Sequence, residues 1–139
     1  MAQKILVVED EDFIRELYKR QLTLAGFTVD SLNSADAAEI QITQNAYDLI
    51  LLDIMMPGNM NGIELLKKLK QNELTKQVSV VILTNLGLDD LVKEAMAAGA
   101  RGFLVKANFT PDQIVAEVKK YLGDTGVHVP NPSTPPDQQ

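Results

Sequence analysis

No cysteine occurs among the 139 residues. Its absence excludes a disulfide scaffold, a thiolate metal site, an iron–sulfur cluster and a cysteine nucleophile. Histidine is nearly absent as well: His128 stands alone, too little for a His-rich zinc site or an internal serine–histidine triad. Basic residues are in deficit, with 13 Lys and Arg against 19 Asp and Glu and a formal net charge of -6. That balance argues against sequence-independent nucleic-acid binding, which needs a positive face. No apolar run reaches the ~18 residues of a membrane span. The start, Met-Ala-Gln-Lys followed directly by Ile5-Leu6-Val7-Val8, lacks the long apolar core and small-residue cleavage site of a secretory leader. The expectation is a cytoplasmic protein without membrane or direct DNA contact, whose chemistry runs on carboxylates, hydroxyls and lysines.

What is present is regular. Five short apolar runs, Ile5–Val8, Thr28–Leu32, Leu49–Leu52, Val80–Leu83 and Gly102–Val105, read mostly as continuous Val, Ile and Leu. A parallel strand covered on both faces reads this way. Segments with helical spacing lie between them. The first sets Ile14, Leu17, Tyr18, Gln21, Leu22 and Ala25 on one stripe, with Asp12 as its expected cap, Gly26 as its stop, and Arg15, Glu16, Lys19 and Arg20 largely outside the stripe. The second runs from a Ser34 cap through Ala37, Ala38, Ile40 and Gln41 to about residue 44. The third follows Asn61-Gly62 with Ile63, Leu65, Leu66 and Leu69 inward. The fourth spans roughly Asp89–Ala98 and stops at Gly99. The fifth opens at Thr110-Pro111 and continues through Ile114, Val115, Val118 and Leu122.

Five alternating βα units predict an α/β fold: a three-layer, doubly wound (βα)5 arrangement of flavodoxin-like type, with a five-stranded parallel sheet of order 2-1-3-4-5. Ligands of such sheets bind beyond the carboxyl ends of the strands, here between strands one and three. The folded domain is expected over residues 1–123. Four of the six prolines fall in the last ten residues among Asn, Ser, Thr, Asp and Gln, so residues 124–139 are expected to form a disordered proline-rich tail.

The strand ends carry the chemistry. Glu9, Asp10, Glu11 and Asp12 follow the first strand, Asp53 the third, Thr84 the fourth and Lys106 the fifth. All project from one rim of the sheet. Carboxylates gathered there repel by roughly 4 kcal/mol per close pair at an intermediate dielectric. A hard divalent cation such as Mg2+ relieves that repulsion, and a lysine and a hydroxyl beside it suit an anionic ligand. Carboxylates, metal, lysine and threonine together resemble a phosphoryl-transfer site.

Ile5-Leu6-Val7-Val8-Glu9-Asp10, Leu51-Leu52-Asp53-Ile54-Met55-Met56-Pro57 with Gly62 beyond, Val81-Ile82-Leu83-Thr84 and Gly102-Phe103-Leu104-Val105-Lys106 together resemble the receiver domains of bacterial two-component response regulators. The resemblance runs from about residue 4 to residue 122. It implies that Asp53 is the phosphoacceptor, taking a phosphoryl group from a sensor histidine kinase or a histidine phosphotransfer protein. It further implies that Asp10 binds Mg2+ directly, Glu9 through water, and Met55 through its backbone carbonyl. Asp53 shares that metal, and Lys106 and Thr84 contact phosphoryl oxygens. Phe103 takes the place of the family's switch aromatic, which reshapes the face formed by the fourth helix, fifth strand and fifth helix for a downstream protein effector. Such a domain is not an enzyme beyond its own phosphoryl transfer and autodephosphorylation. With His128 in the tail, the phosphohistidine comes from another protein.

Each residue has a duller reading. Glu9–Asp12 alone fits a solvated acidic turn, Asp53 a turn residue, Thr84 a strand end, Lys106 a surface lysine and Phe103 core. Their joint placement favours the receiver. Three departures from the family pattern keep a degenerate, phosphorylation-independent docking receiver in play. The stretch from Asp53 to Gly62 is one residue longer than usual. Ala107 replaces the usual proline after Lys106, so the bond is either a strained cis peptide or a trans one that aims Lys106 differently. Asn85 is larger than the family prefers. An aspartyl-nucleophile phosphotransferase is the enzyme alternative, but such families carry a second acid two residues after the nucleophile, and here that residue is Met55. A flavin carrier of this topology would want a glycine- and hydroxyl-rich loop where four acids stand. Met55 and Leu86, both apolar, flank the expected water path and predict a long-lived phosphoryl group.

Overall fold

The computed structural model describes residues 3–56, 58–85 and 90–123. The expected tail, His128, Pro57, Leu86 and the Asp89 start of the fourth helix lie outside the described residues. The elements alternate as β1 (Lys4–Val8), α1 (Asp12–Leu24), β2 (Thr28–Leu32), α2 (Ala35–Gln44), β3 (Leu49–Asp53), α3 (Gly62–Gln71), β4 (Ser79–Thr84), α4 (Asp90–Ala97), β5 (Gly102–Val105) and α5 (Pro111–Gly123). The five strands form one parallel sheet in the order β2-β1-β3-β4-β5. This is the expected order, 2-1-3-4-5.

Strand period two divides the core into two halves. Ile5 and Val7, Leu49 and Leu51, Val81 and Leu83, and Leu104 face α1 and α5, where Tyr18, Leu22, Ile114, Val118 and Tyr121 close over them. Leu6 and Val8, Ile50 and Leu52, Val80 and Ile82, and Phe103 and Val105 face α2, α3 and α4. β3 is buried along its whole length, so Leu49–Leu52 reads as an unbroken apolar run that ends at the buried Asp53. β2 is an edge strand, mostly half-buried, and is the least apolar of the five. Each aliphatic side chain so covered contributes about 1.5–3 kcal/mol.

Helix ends follow the expected signals with one exception. Gly26 and Gly99 adopt positive φ of 102° and 110°. Each ends its helix with paired bonds: Phe27 N–H to the Leu22 carbonyl with Gly26 to Thr23, and Ala100 to Ala95 with Gly99 to Met96. Ser34 accepts from the Ala37 N–H at 3.2 Å, and Thr110 precedes Pro111 as the fifth helix's start. Asp12 is not the cap of α1. Glu11 holds that position without a side-chain bond, because the Asp12 carboxylate is taken by Arg15 at 2.7 Å. In α2 the inward residues are Ala35, Ala38 and Ile42, while Ile40 is exposed. Among the described residues no helix is long and apolar enough to cross a membrane.

Candidate functional site

The alternation that divides the core also builds the rim. Carried one step past β1, it sends Glu9 to the α1/α5 side with Ile5 and Val7. It sends Asp53 the same way after Leu49 and Leu51, and Lys106 after Leu104. The three meet there: Lys106 Nζ donates to Glu9 Oε2 at 2.6 Å and to Asp53 Oδ2 at 3.2 Å. Glu9 is fully buried and the Lys106 side chain only 8% exposed. Asp10, out of step with Glu9, still brings a carboxylate oxygen to the group, and one ligand atom each from Glu9, Asp10 and Asp53 lie within 4.8 Å of one another. These are hard oxygen donors, the set that suits Mg2+.

The electrostatics follow from burial. Two buried carboxylates share one ammonium. Burial and the neighbouring Glu9 charge push the Asp53 carboxyl up to about 7, against the opposing pull of Lys106 and the bond it accepts from the Met55 N–H. For Lys106, burial disfavours the charged form, but the Glu9 bond and the Asp53 and Glu9 charges outweigh it and hold the ammonium above its usual range. Tyr18, beneath the site on α1, is pushed up to about 12 by burial; Lys106 pulls it down and the surrounding carboxylates push it further up.

Asp53 is also held by its own chain. Its Oδ1 accepts from the Met55 N–H at 3.1 Å, and the Ile54 N–H continues the ladder to the Leu83 carbonyl at 3.0 Å. The loop then turns Met56 and Met60 into the core and leaves Met55, Gly58 and Asn59 outside. Gly58 in this loop takes a φ of +118°. Asn61 caps α3 as expected, accepting from Glu64 N–H at 2.9 Å while Glu64 Oε1 accepts from Asn61 N–H at 3.0 Å. Gly62 approaches so closely that a Cβ on it would collide with the Asp53 carbonyl oxygen and lie 2.9 Å from Ile54 Cα. The glycine is thus required by the backbone of Asp53 itself.

Thr84 ends β4, buried, on the α2–α4 side with Val80 and Ile82, and pairs in register with Val105. Phe103 is buried in the same half of the core, in register with Ile82. The Lys106–Ala107 bond is trans, as is every described peptide bond. It opens a short 3-10 turn, Lys106–Asn108, and Lys106 reaches both carboxylates from it. Of the two geometries left open by Ala107, the structure has the trans one.

Arg15 was not anticipated as a site residue. Its guanidinium donates to the Glu9 carbonyl at 3.0 Å and to Asp12 Oδ1 at 2.7 Å, clamping the turn that carries the acids. The i,i+3 spacing of Asp12 and Arg15 was the available signal.

A family model described as the response regulator receiver domain matches residues 5–119. The phosphate regulon transcriptional regulatory protein PhoB of Rhizobium meliloti is 38% identical over 122 residues, covering 88% of this chain and 53% of that protein. The transcriptional regulatory protein SrrA of Staphylococcus aureus is 35% identical over 125 residues, covering 90% of this chain and 50% of that one. The chain thus spans about half the length of the curated relatives it matches. Among solved structures, the chemotaxis response regulator CheY4 of Vibrio cholerae superposes with a TM-score of 0.81 at 27% identity, over 87% of this chain and 99% of that one.

Proposed function

This chain belongs to the response regulator receiver domain family, a family of signalling proteins rather than classical enzymes, and on that premise we propose that it accepts a phosphoryl group on Asp53. The reading is carried by one observation: Asp53, Glu9 and Lys106 converge in a buried cluster with Asp10 at its edge. The donor is a phosphohistidine on a sensor kinase or a phosphotransfer protein. An ionised Asp53 oxygen attacks phosphorus, the O–P bond forms, the P–N bond breaks, and the imidazole leaves with a proton from solvent.

Glu9, Asp10, Asp53 and the Met55 carbonyl would hold Mg2+, whose charge, when bound, offsets the negative charge of carboxylates and phosphoryl oxygens. Lys106 moves its ammonium from Glu9 and Asp53 to a phosphoryl oxygen. Thr84 donates its hydroxyl to another, and the change is relayed to Phe103 and the α4–β5–α5 face, where a protein effector docks.

The test is phosphorylation with Mg2+ and a small phosphodonor such as acetyl phosphate, read by intact mass. Wild type is expected to gain one phosphoryl group and Asp53→Asn none. If wild type gains nothing and beryllofluoride produces no spectral change, the phosphoacceptor reading gives way to a docking receiver that works without phosphate.

A further inference from the structure

A chain without cysteine directs two-electron oxidants to its thioethers, and this one has five methionines. Three of them, Met55, Met56 and Met60, lie in the loop that leaves Asp53. Their surroundings differ sharply. Met56 is 7% and Met60 5% exposed, both packed in the α2–α4 half of the core, whereas Met55 is 60% exposed. Met96 is half-buried against the same cluster. Met55 is also the residue whose N–H binds the Asp53 carboxylate at 3.1 Å. The exposed thioether is therefore carried by the residue whose backbone amide holds the Asp53 carboxylate.

We propose that Met55 is a peroxide-oxidised modification site, and that its sulfoxide shortens the life of a phosphoryl group on Asp53. In the covalent step a sulfur lone pair attacks one peroxide oxygen. The S–O bond forms and the O–O bond breaks; sulfur loses two electrons and hydrogen peroxide is reduced to water. The product exchanges an apolar thioether for a polar, strongly accepting sulfoxide. A thioether offers an attacking water no strong hydrogen bond, whereas a sulfoxide oxygen accepts one and so orients it. The selectivity of oxidation stands on exposure alone. The effect on lifetime rests on the phosphoacceptor reading of Asp53.

Two measurements on the full chain test this separately. Hydrogen peroxide is titrated and the digest read by tandem mass spectrometry, with the adjacent Met55 and Met56, and Met60, distinguished by sequence ions. Met55 is expected to oxidise about tenfold or more faster than Met56 and Met60, given their burial. Equal rates overturn the site. Wild type, Met55→Leu and the polar variant Met55→Gln are then phosphorylated with acetyl phosphate and Mg2+, before and after peroxide. Oxidised wild type is expected to lose its phosphoryl group about threefold or more faster than reduced wild type, well below a full general-base factor. Met55→Gln should show the shortened lifetime without peroxide, and peroxide should leave the Met55→Leu lifetime where it was. Unchanged wild-type lifetime with Met55 fully oxidised overturns the regulatory effect. If no variant takes phosphate at all, the phosphoacceptor reading falls and the lifetime effect with it, while the oxidation rates still decide the site.

Discussion

The Lys106 ammonium lies 2.6 Å from Glu9 Oε2, bridging 97 residues of chain across the rim of the sheet. It reaches Asp53 at the longer distance of 3.2 Å. In this arrangement the lysine is the counter-ion of the acids that are proposed to hold Mg2+, so lysine and metal compete for the same carboxylate charge.

Lys106→Met should therefore bind Mg2+ more tightly, by about three- to tenfold, because two close carboxylates lose their internal cation. The same variant should be less stable without metal and slower to accumulate phosphate. Titration calorimetry reads the affinity directly; the chain has no tryptophan to report by fluorescence. Weaker Mg2+ binding in the variant would show that Lys106 supports the metal site rather than competing with it.

The raised Asp53 carboxyl sets a pH dependence with a definite sign. In the unfolded chain an aspartate ionises near its ordinary value of 3.8, whereas in the fold it holds its proton to about 7. Between those values the native state binds more protons than the unfolded one, so stability falls as pH rises and the full penalty applies above 7. Asp53→Asn removes it. In EDTA the variant should be more stable than wild type by about 1–3 kcal/mol at pH 8, with the difference shrinking towards zero near pH 4. Urea denaturation at three pH values checks this; a gain independent of pH would place its origin elsewhere.

Gly62→Ala pushes a methyl group into the Asp53 carbonyl and against Ile54 Cα. Backbone on both sides leaves little room for adjustment, so a loss of about 2–4 kcal/mol is expected, with impaired phosphorylation from a displaced acceptor. Gly123→Ala has open space around its Cβ and should differ from wild type by less than about 0.5 kcal/mol. Thermal unfolding of the pair decides the point.

Asn61→Ala breaks both halves of the capping box with Glu64 and should cost about 1 kcal/mol. Asn61→Asp keeps an acceptor for the Glu64 N–H and adds favourable charge at the helix start, so it should stay within about 0.5 kcal/mol of wild type. Equal losses in the two variants would mean that the cap is not what Asn61 supplies.

The strands, the inward residues of α3 and the strand-end positions of Glu9, Asp10, Asp53 and Lys106 were legible because they follow from local periodicity, whereas the sheet order was expected as the commonest for five βα units and from the receiver resemblance. A strand's alternation places its end residue on a definite face, and parallel strands share one rim. What escaped the sequence depends on competition between neighbours. Asp12 has the chemistry of an N-cap, but a guanidinium three residues on outbids the backbone for its carboxylate. Ile40 is as apolar as Ile42, yet only the latter falls on the buried arc of α2. The trans geometry at Ala107 depends on how β5 enters its 3-10 turn, which no local pattern specifies.

Arg15 offers the sharpest check on the acid turn, because it touches the Glu9 carbonyl rather than any proposed ligand atom. Arg15→Ala removes two charge-assisted bonds from a side chain that is 15% exposed and should cost about 1–2 kcal/mol. Asp12→Ala removes one of the two and leaves the Glu9 contact. Since its carboxylate is 85% exposed, it should shift stability only marginally. If the clamp positions the acids, Arg15→Ala also weakens Mg2+ binding about threefold or more beyond any loss of fold, and Arg15→Lys restores it only in part, since an ammonium lacks the planar fork that reaches both partners. Titration calorimetry at a temperature where all three variants are fully folded separates the effects. Unaltered Mg2+ affinity in folded Arg15→Ala would reduce the arginine to a surface tie between the β1–α1 turn and its helix.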